Sequence, residues 1–120
     1  AWSRWEASTS KLVKNDSLMD EFSDPHFALA FALIENHYFM NKGFLEHEKQ
    51  LLDGIEKIRD IPAVIVQGRY DVVCPMETAY EVSKRWPEAS FEIAQNSGHS
   101  AFEKEIVHLL VSATNKFAHN

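Results

Sequence analysis

Asp71, in Gly68-Arg69-Tyr70-Asp71, and His99, in Ser97-Gly98-His99-Ser100, are 28 positions apart and have the types that general-base catalysis needs. A carboxylate that accepts the Nδ1–H of an imidazole fixes its tautomer. It also stabilises the imidazolium formed when Nε2 takes up a proton. The pair works only if a scaffold brings both side chains to one edge. Ala63-Val64-Ile65-Val66, upstream of Asp71, is a continuous apolar run of the kind found in strands buried on both faces of a parallel sheet. Phe91-Glu92-Ile93-Ala94, upstream of His99, reads as a second short strand. Between them Pro75 opens a helix through about Trp86, and Pro87 ends it. A right-handed β-α-β connection then puts Asp71 and His99 at the carboxyl ends of neighbouring parallel strands, where open α/β sheets place their sites. On spacing alone, a turn Asp and a surface His account for the pair equally well, because turns select Gly and Asp in any case.

The rest of the chain supplies helices. Asp24-Pro25 is a helix start, since Asp accepts orphan N–H groups and Pro at the first helical position sacrifices none. That helix runs from about Pro25 to Met40, and Asn41-Lys42-Gly43 closes it with a glycine able to take positive φ. Trp2, Trp5, Leu12 and Val13 form a weak helical stripe that fades at Lys14-Asn15-Asp16, followed by an acidic loop to Asp24. Leu51, Leu52, Ile55 and Ile58 share one face of a helix from about Glu46 to Ile58, and a last helix spans roughly Glu103 to Ala118. The order β-α-β-α is that of a doubly wound α/β protein. Two parallel strands leave long unpaired edges, so the chain reads as part of a larger domain.

Composition narrows the function classes. Twelve Lys plus Arg against eighteen Asp plus Glu give a net charge of −6, which does not favour a phosphate backbone, so no nucleic acid is expected as a partner. The longest apolar run, Phe27 to Ile34, is eight residues, well short of the roughly 20 that span a bilayer. No basic segment followed by an apolar stretch suggests a signal peptide, and the single cysteine, Cys74, fits a reducing compartment; a cytoplasmic location is expected. The four glycines, Gly43, Gly54, Gly68 and Gly98, lie 11, 14 and 30 positions apart. No two of them can build a G-x-S-x-G elbow, a P-loop or a dinucleotide fingerprint.

Acid before base, each beyond a strand, is the order of the last two triad members in α/β-hydrolases. The stretch from Ile61 to Pro75, with Trp86-Pro87-Glu88-Ala89, Gly98-His99-Ser100 and Ala113-Thr114-Asn115-Lys116-Phe117-Ala118, resembles the proline iminopeptidases of that fold. Ala1-Trp2-Ser3-Arg4-Trp5-Glu6 and the run from Phe27 to Phe39 resemble them too, so the likeness covers essentially the whole chain. It implies the C-terminal part of an α/β-hydrolase fold, parallel strands with flanking helices, preceded by helices of a cap domain. Residues 1–45 would be the cap segment and residues 46–120 the core part. It further implies removal of N-terminal proline from peptides through a Ser-His-Asp triad, with Asp71 as acid, His99 as base and no cofactor. Glu6 and Glu35 are the cap carboxylates that match the family's grip on the substrate's imino group. Cys74 would sit near the substrate pocket, exposing the enzyme to bulky thiol reagents. The chain departs from the family at Leu33, where Arg is frequent, and it has no counterpart of the nucleophile serine or the glycine-rich oxyanion loop. No serine here, Ser100 included, has the strand-turn-helix setting of a nucleophile, so the chain alone should be inactive without the missing N-terminal half.

Plainer explanations exist for several of these residues. Outside the resemblance, Glu6 and Glu35 read as a wet helix face and Cys74 as a small buried hydrophobe. His26, His37, His47, His108 and His119 show no ligand spacing, so no metal site is expected. Two other functions remain open: a related α/β-hydrolase acting on esters or amides, and a non-catalytic interaction module that kept the scaffold.

Overall fold

The computed structural model describes residues 1–13 and 16–118. Lys14 and Asn15, where the first helical stripe was expected to fade, lie outside them, as does His119. Helix α1 covers Trp2–Thr9 and α2 Asp16–Glu21, the latter inside the segment expected to be a loop. Helix α3 is Pro25–Met40, α4 Gln50–Asp53, β1 Val64–Gly68, α5 Met76–Arg85, β2 Ser90–Ala94 and α6 Lys104–Ala118.

Helix α3 begins as its sequence dictates. Asp24 is extended, and its Oδ1 accepts the N–H of His26 at 3.0 Å and of Phe27 at 2.9 Å. At its far end Gly43 takes φ 63°, but Lys42 and Phe44 also lie at positive φ, 52° and 61°. The turn folds the Phe44 ring against His37 and Tyr38, and that packing offsets the backbone cost of left-handed non-glycine residues.

The single helix expected from Glu46 to Ile58 is instead two short pieces, α4 and a 3-10 turn at Ile55–Lys57. The side chain of Gln50 turns back to accept the N–H of Glu46, which starts α4 four residues late, and Gly54 ends it. Ile55, facing inward from the 3-10 turn, is among the few buried apolar residues.

Strands β1 and β2 pair in parallel, Val64 opposite Ser90 through Gly68 opposite Ala94. Helix α5 connects them and packs on β1, while α6 crosses both strands. The expected double-faced burial of β1 is not complete: Val64, Ile65 and Val66 remain half-buried. Two helices and two strands do not supply enough layers to cover a parallel sheet. Helix α3 shows the same shortfall. It is apolar on every side, yet none of its residues is buried, and Leu29, Ile34 and Phe39 are each about 60% exposed. No helix is long and apolar enough to cross a membrane among the described residues.

Candidate active site

Strand β1 ends at Gly68 because the chain there must pass directly under the loop after β2. A Cβ at Gly68 would lie 1.8 Å from the carbonyl oxygen of Gly98, so only glycine permits the approach. The two loops are then joined by backbone bonds: Arg69 N–H to Ala94 O at 2.9 Å and Tyr70 N–H to Ser97 O at 3.0 Å. Ser97 is fully buried in this seam. The parallel register thus becomes a fixed distance between Asp71 and His99.

Asp71 folds its carboxylate back into its own turn. Its Oδ1 accepts the N–H of Val73 at 3.0 Å and of Cys74 at 2.8 Å, leaving Oδ2 for His99 Nδ1 at 3.0 Å and Gln67 Nε2 at 3.3 Å. The Asp71 side chain is 6% exposed and the His99 side chain 38%. A carboxylate only accepts, so the proton of this bond lies on Nδ1, which in a neutral ring leaves Nε2 as the acceptor. That is the protonation pattern of a general base with an orienting acid.

The loop that carries His99 is held from a second direction. The carbonyl of Ser10, just past α1, accepts the N–H of His99 at 3.1 Å and of Ser100 at 2.7 Å. Glu103 accepts from Gly98 N–H through Oε1 at 2.7 Å and from Leu12 N–H through Oε2 at 3.2 Å. Glu105, at the start of α6, accepts the N–H groups of Gln95 and Asn96, which hold its carboxyl below the usual range.

Helix α1 also carries Glu6 and packs against α3, which carries Glu35; Trp2 Nε1 donates to Glu35 Oε2 at 2.5 Å. Burial pushes the Glu6 carboxyl up, the negative charge of Glu35 pushes it further, and His99 draws it back down. Burial likewise raises the Cys74 thiol, helped by the charges of Asp71 and Glu6. Cys74 is a free, exposed cysteine. Asp71, His99, Glu6, Glu35 and Cys74, spread over 94 positions of sequence, are therefore linked pair by pair: Glu6 feels Glu35 and His99, Cys74 feels Asp71 and Glu6, and His99 bonds Asp71. Ser100 Oγ accepts the N–H of Phe102 at 3.3 Å inside a turn. Among the described residues, no group of three or more His, Cys, Asp or Glu side chains is arranged to hold a metal ion.

Three partners were not singled out from sequence: Gln67, Ser10 and Glu103. Ser100-Ala101-Phe102-Glu103 has capping-box spacing, which marks Glu103 as an acceptor of backbone N–H groups. Its acceptance from Leu12, 91 residues away, has no local signature.

The chain is similar to the proline iminopeptidase of Xanthomonas citri, 56% identical over 118 residues, 98% of this chain and 38% of the relative. It is 50% identical to the proline iminopeptidase of Arabidopsis thaliana over 97% of this chain and 30% of the relative. With that of Neisseria gonorrhoeae it shares 45% over 94% of this chain and 35% of the relative. The chain thus spans between about a third and two-fifths of the length of most curated relatives it matches. The family model described as TAP-like protein matches residues 44–113, more than half of the chain and all of the β-α-β-α segment up to the last turn of α6. By that match, and with parallel strands flanked by helices beneath it, the chain belongs to the TAP-like protein family of α/β-hydrolases.

Proposed function

We propose that this chain is the acid–base and amine-binding portion of a serine hydrolase that removes N-terminal proline from peptides. One observation carries the proposal: His99 Nδ1 lies 3.0 Å from a nearly buried Asp71 carboxylate and within electrostatic reach of Glu6, which is itself paired with Glu35. His99 is the general base that activates the nucleophile and then returns the proton to the leaving amine. Asp71 fixes its tautomer. Glu6 and Glu35 receive the protonated secondary amine of an N-terminal proline. Two like charges in a half-buried site raise one another's cost of ionisation, and an incoming cation relieves that cost. Anchoring the amine at a set distance from the base selects the first peptide bond of a chain. Cys74, beside both Asp71 and Glu6, borders the place where the proline ring would lie.

In this reading residues 1–45 belong to a cap and residues 46–120 to the core. The nucleophile and oxyanion donors come from a portion outside these residues, which would also cover α3 and the open faces of the sheet. A base with neither has nothing to activate, so the chain alone is inactive. The names of the relatives from Xanthomonas citri, Xylella fastidiosa and Arabidopsis thaliana support this substrate class.

The test joins the chain to the portion of the Xanthomonas citri relative that it does not match. Prolyl p-nitroanilide is then compared with its N-acetyl derivative, which cannot carry the amine charge. Glu6→Gln and Glu35→Gln are expected to lower kcat/KM for the free-amine substrate at least tenfold and to leave the poor acetylated substrate unaffected. Equal loss on both substrates would contradict the amine-binding role.

A further inference from the structure

We infer that Glu103 is a positioning residue, one whose two carboxylate oxygens set the distance between Glu6 and His99. The inference rests on the amine-binding reading of Glu6 and goes beyond it. Glu6 and His99 belong to segments with no strand pairing between them, yet their separation decides which bond of a peptide meets the base. Two connections fix it. In the first, Ser10 N–H bonds to the carbonyl of Glu6 at 3.1 Å, and the Ser10 carbonyl in turn accepts from His99 and Ser100. In the second, Glu103 takes the N–H of Gly98 at 2.7 Å on Oε1 and that of Leu12 at 3.2 Å on Oε2, bridging the base loop and the chain beyond α1. The carboxylate offers one oxygen to each donor, whereas a glutamine side chain of the same length has a single acceptor oxygen.

Glu103→Gln separates the two bonds. Its single carbonyl oxygen keeps the shorter bond to Gly98, and its amide, a donor, faces the Leu12 N–H without bonding it. The base loop stays in place and keeps its bonds to Ser10, while the second tie, to Leu12 beyond α1, is cut. In the joined protein, kcat/KM for prolyl p-nitroanilide is expected to fall at least tenfold, while hydrolysis of p-nitrophenyl acetate, which has no amine to place, changes less than twofold. Glu103→Ala removes both bonds and should lower both rates. Proportional loss on the two substrates with Glu103→Gln, or no loss on either, would overturn the inference. Glu6→Gln, run alongside, distinguishes the two claims. If it spares the prolyl substrate, the amine-binding reading falls and takes the positioning role with it. If it lowers that rate and Glu103→Gln does not, the positioning role alone falls.

Discussion

The carbonyl oxygen of Ser10 accepts the backbone N–H of His99 at 3.1 Å. This bond ties the first helical segment to the loop that follows the second strand, across 89 positions of sequence. Neither the β-α-β unit nor the packing of α1 on α3 would by itself fix Glu6 relative to His99. The orientation of the imidazole is set by Asp71 from one side, and the position of its backbone by Ser10 from the other.

The approach of Gly68 to Gly98 should be the most sensitive backbone contact near the site. A methyl group at Gly68 would meet the Gly98 carbonyl oxygen at 1.8 Å and its carbon at 2.8 Å, so the two loops must part. Gly68→Ala is expected to cost about 3 kcal/mol or more, since overpacking against backbone exceeds the usual range for side chains. At Gly98 the nearest atom to an added Cβ is Leu12 N at 3.0 Å, so Gly98→Ala should cost less. Denaturant unfolding of the joined protein gives the order directly; a smaller loss for Gly68→Ala would contradict the seam described here.

Glu6 gives a pH dependence with a definite sign. Burial and the charge of Glu35 hold its carboxyl above the ordinary carboxylate range, and His99 offsets part of the rise. Amine binding needs the anion, so kcat/KM for prolyl p-nitroanilide relative to p-nitrophenyl acetate should increase as pH rises through the raised value. Any ionisation of the base is common to both substrates and cancels in the ratio. Removing the Glu35 charge with Glu35→Gln should move this rise to lower pH, because Glu6 then ionises more easily. A shift to higher pH would reverse the assignment.

Cys74 is exposed yet should react slowly. Burial of the thiol, then the charges of Asp71 and Glu6, push its ionisation upward, and the thiolate is the reactive form. Alkylation by iodoacetamide at pH 8 is expected to be slower than that of a cysteine in an unstructured peptide. Glu6→Gln should speed it by removing one of the two charges. Faster alkylation of Cys74 than of the peptide would show that Glu6 and Asp71 do not face it.

Much of the frame is legible in the sequence because its signals are local. Asp24-Pro25 starts α3 where the capping logic puts it, and the strands before Asp71 and His99 form within a residue or two of the apolar runs. The segment from Glu46 to Ile58 has a helical pattern, but a side-chain bond from Gln50 and the break at Gly54 divide it. The double-faced burial implied by Val64-Ile65-Val66 is a statement about neighbours, and the described residues provide too few of them. Around the site, the reach of Glu103 to Leu12 and of the Ser10 carbonyl to His99 was not legible, because these partners are backbone groups brought near by the fold. Backbone N–H groups are the same at every position, so no residue type marks which carboxylate will reach them.

The central claim is that His99, oriented by Asp71, is the base of a hydrolase whose nucleophile comes from outside these residues. The most direct measurement is release of p-nitroaniline from prolyl p-nitroanilide by the chain alone, by the unmatched portion of the Xanthomonas citri relative alone, and by the two joined. Activity only in the joined protein is predicted, falling about 10⁴-fold with Asp71→Asn, which leaves the imidazole in the wrong tautomer, and at least as far with His99→Ala. Turnover by the 120-residue chain alone that survives both substitutions would contradict the account.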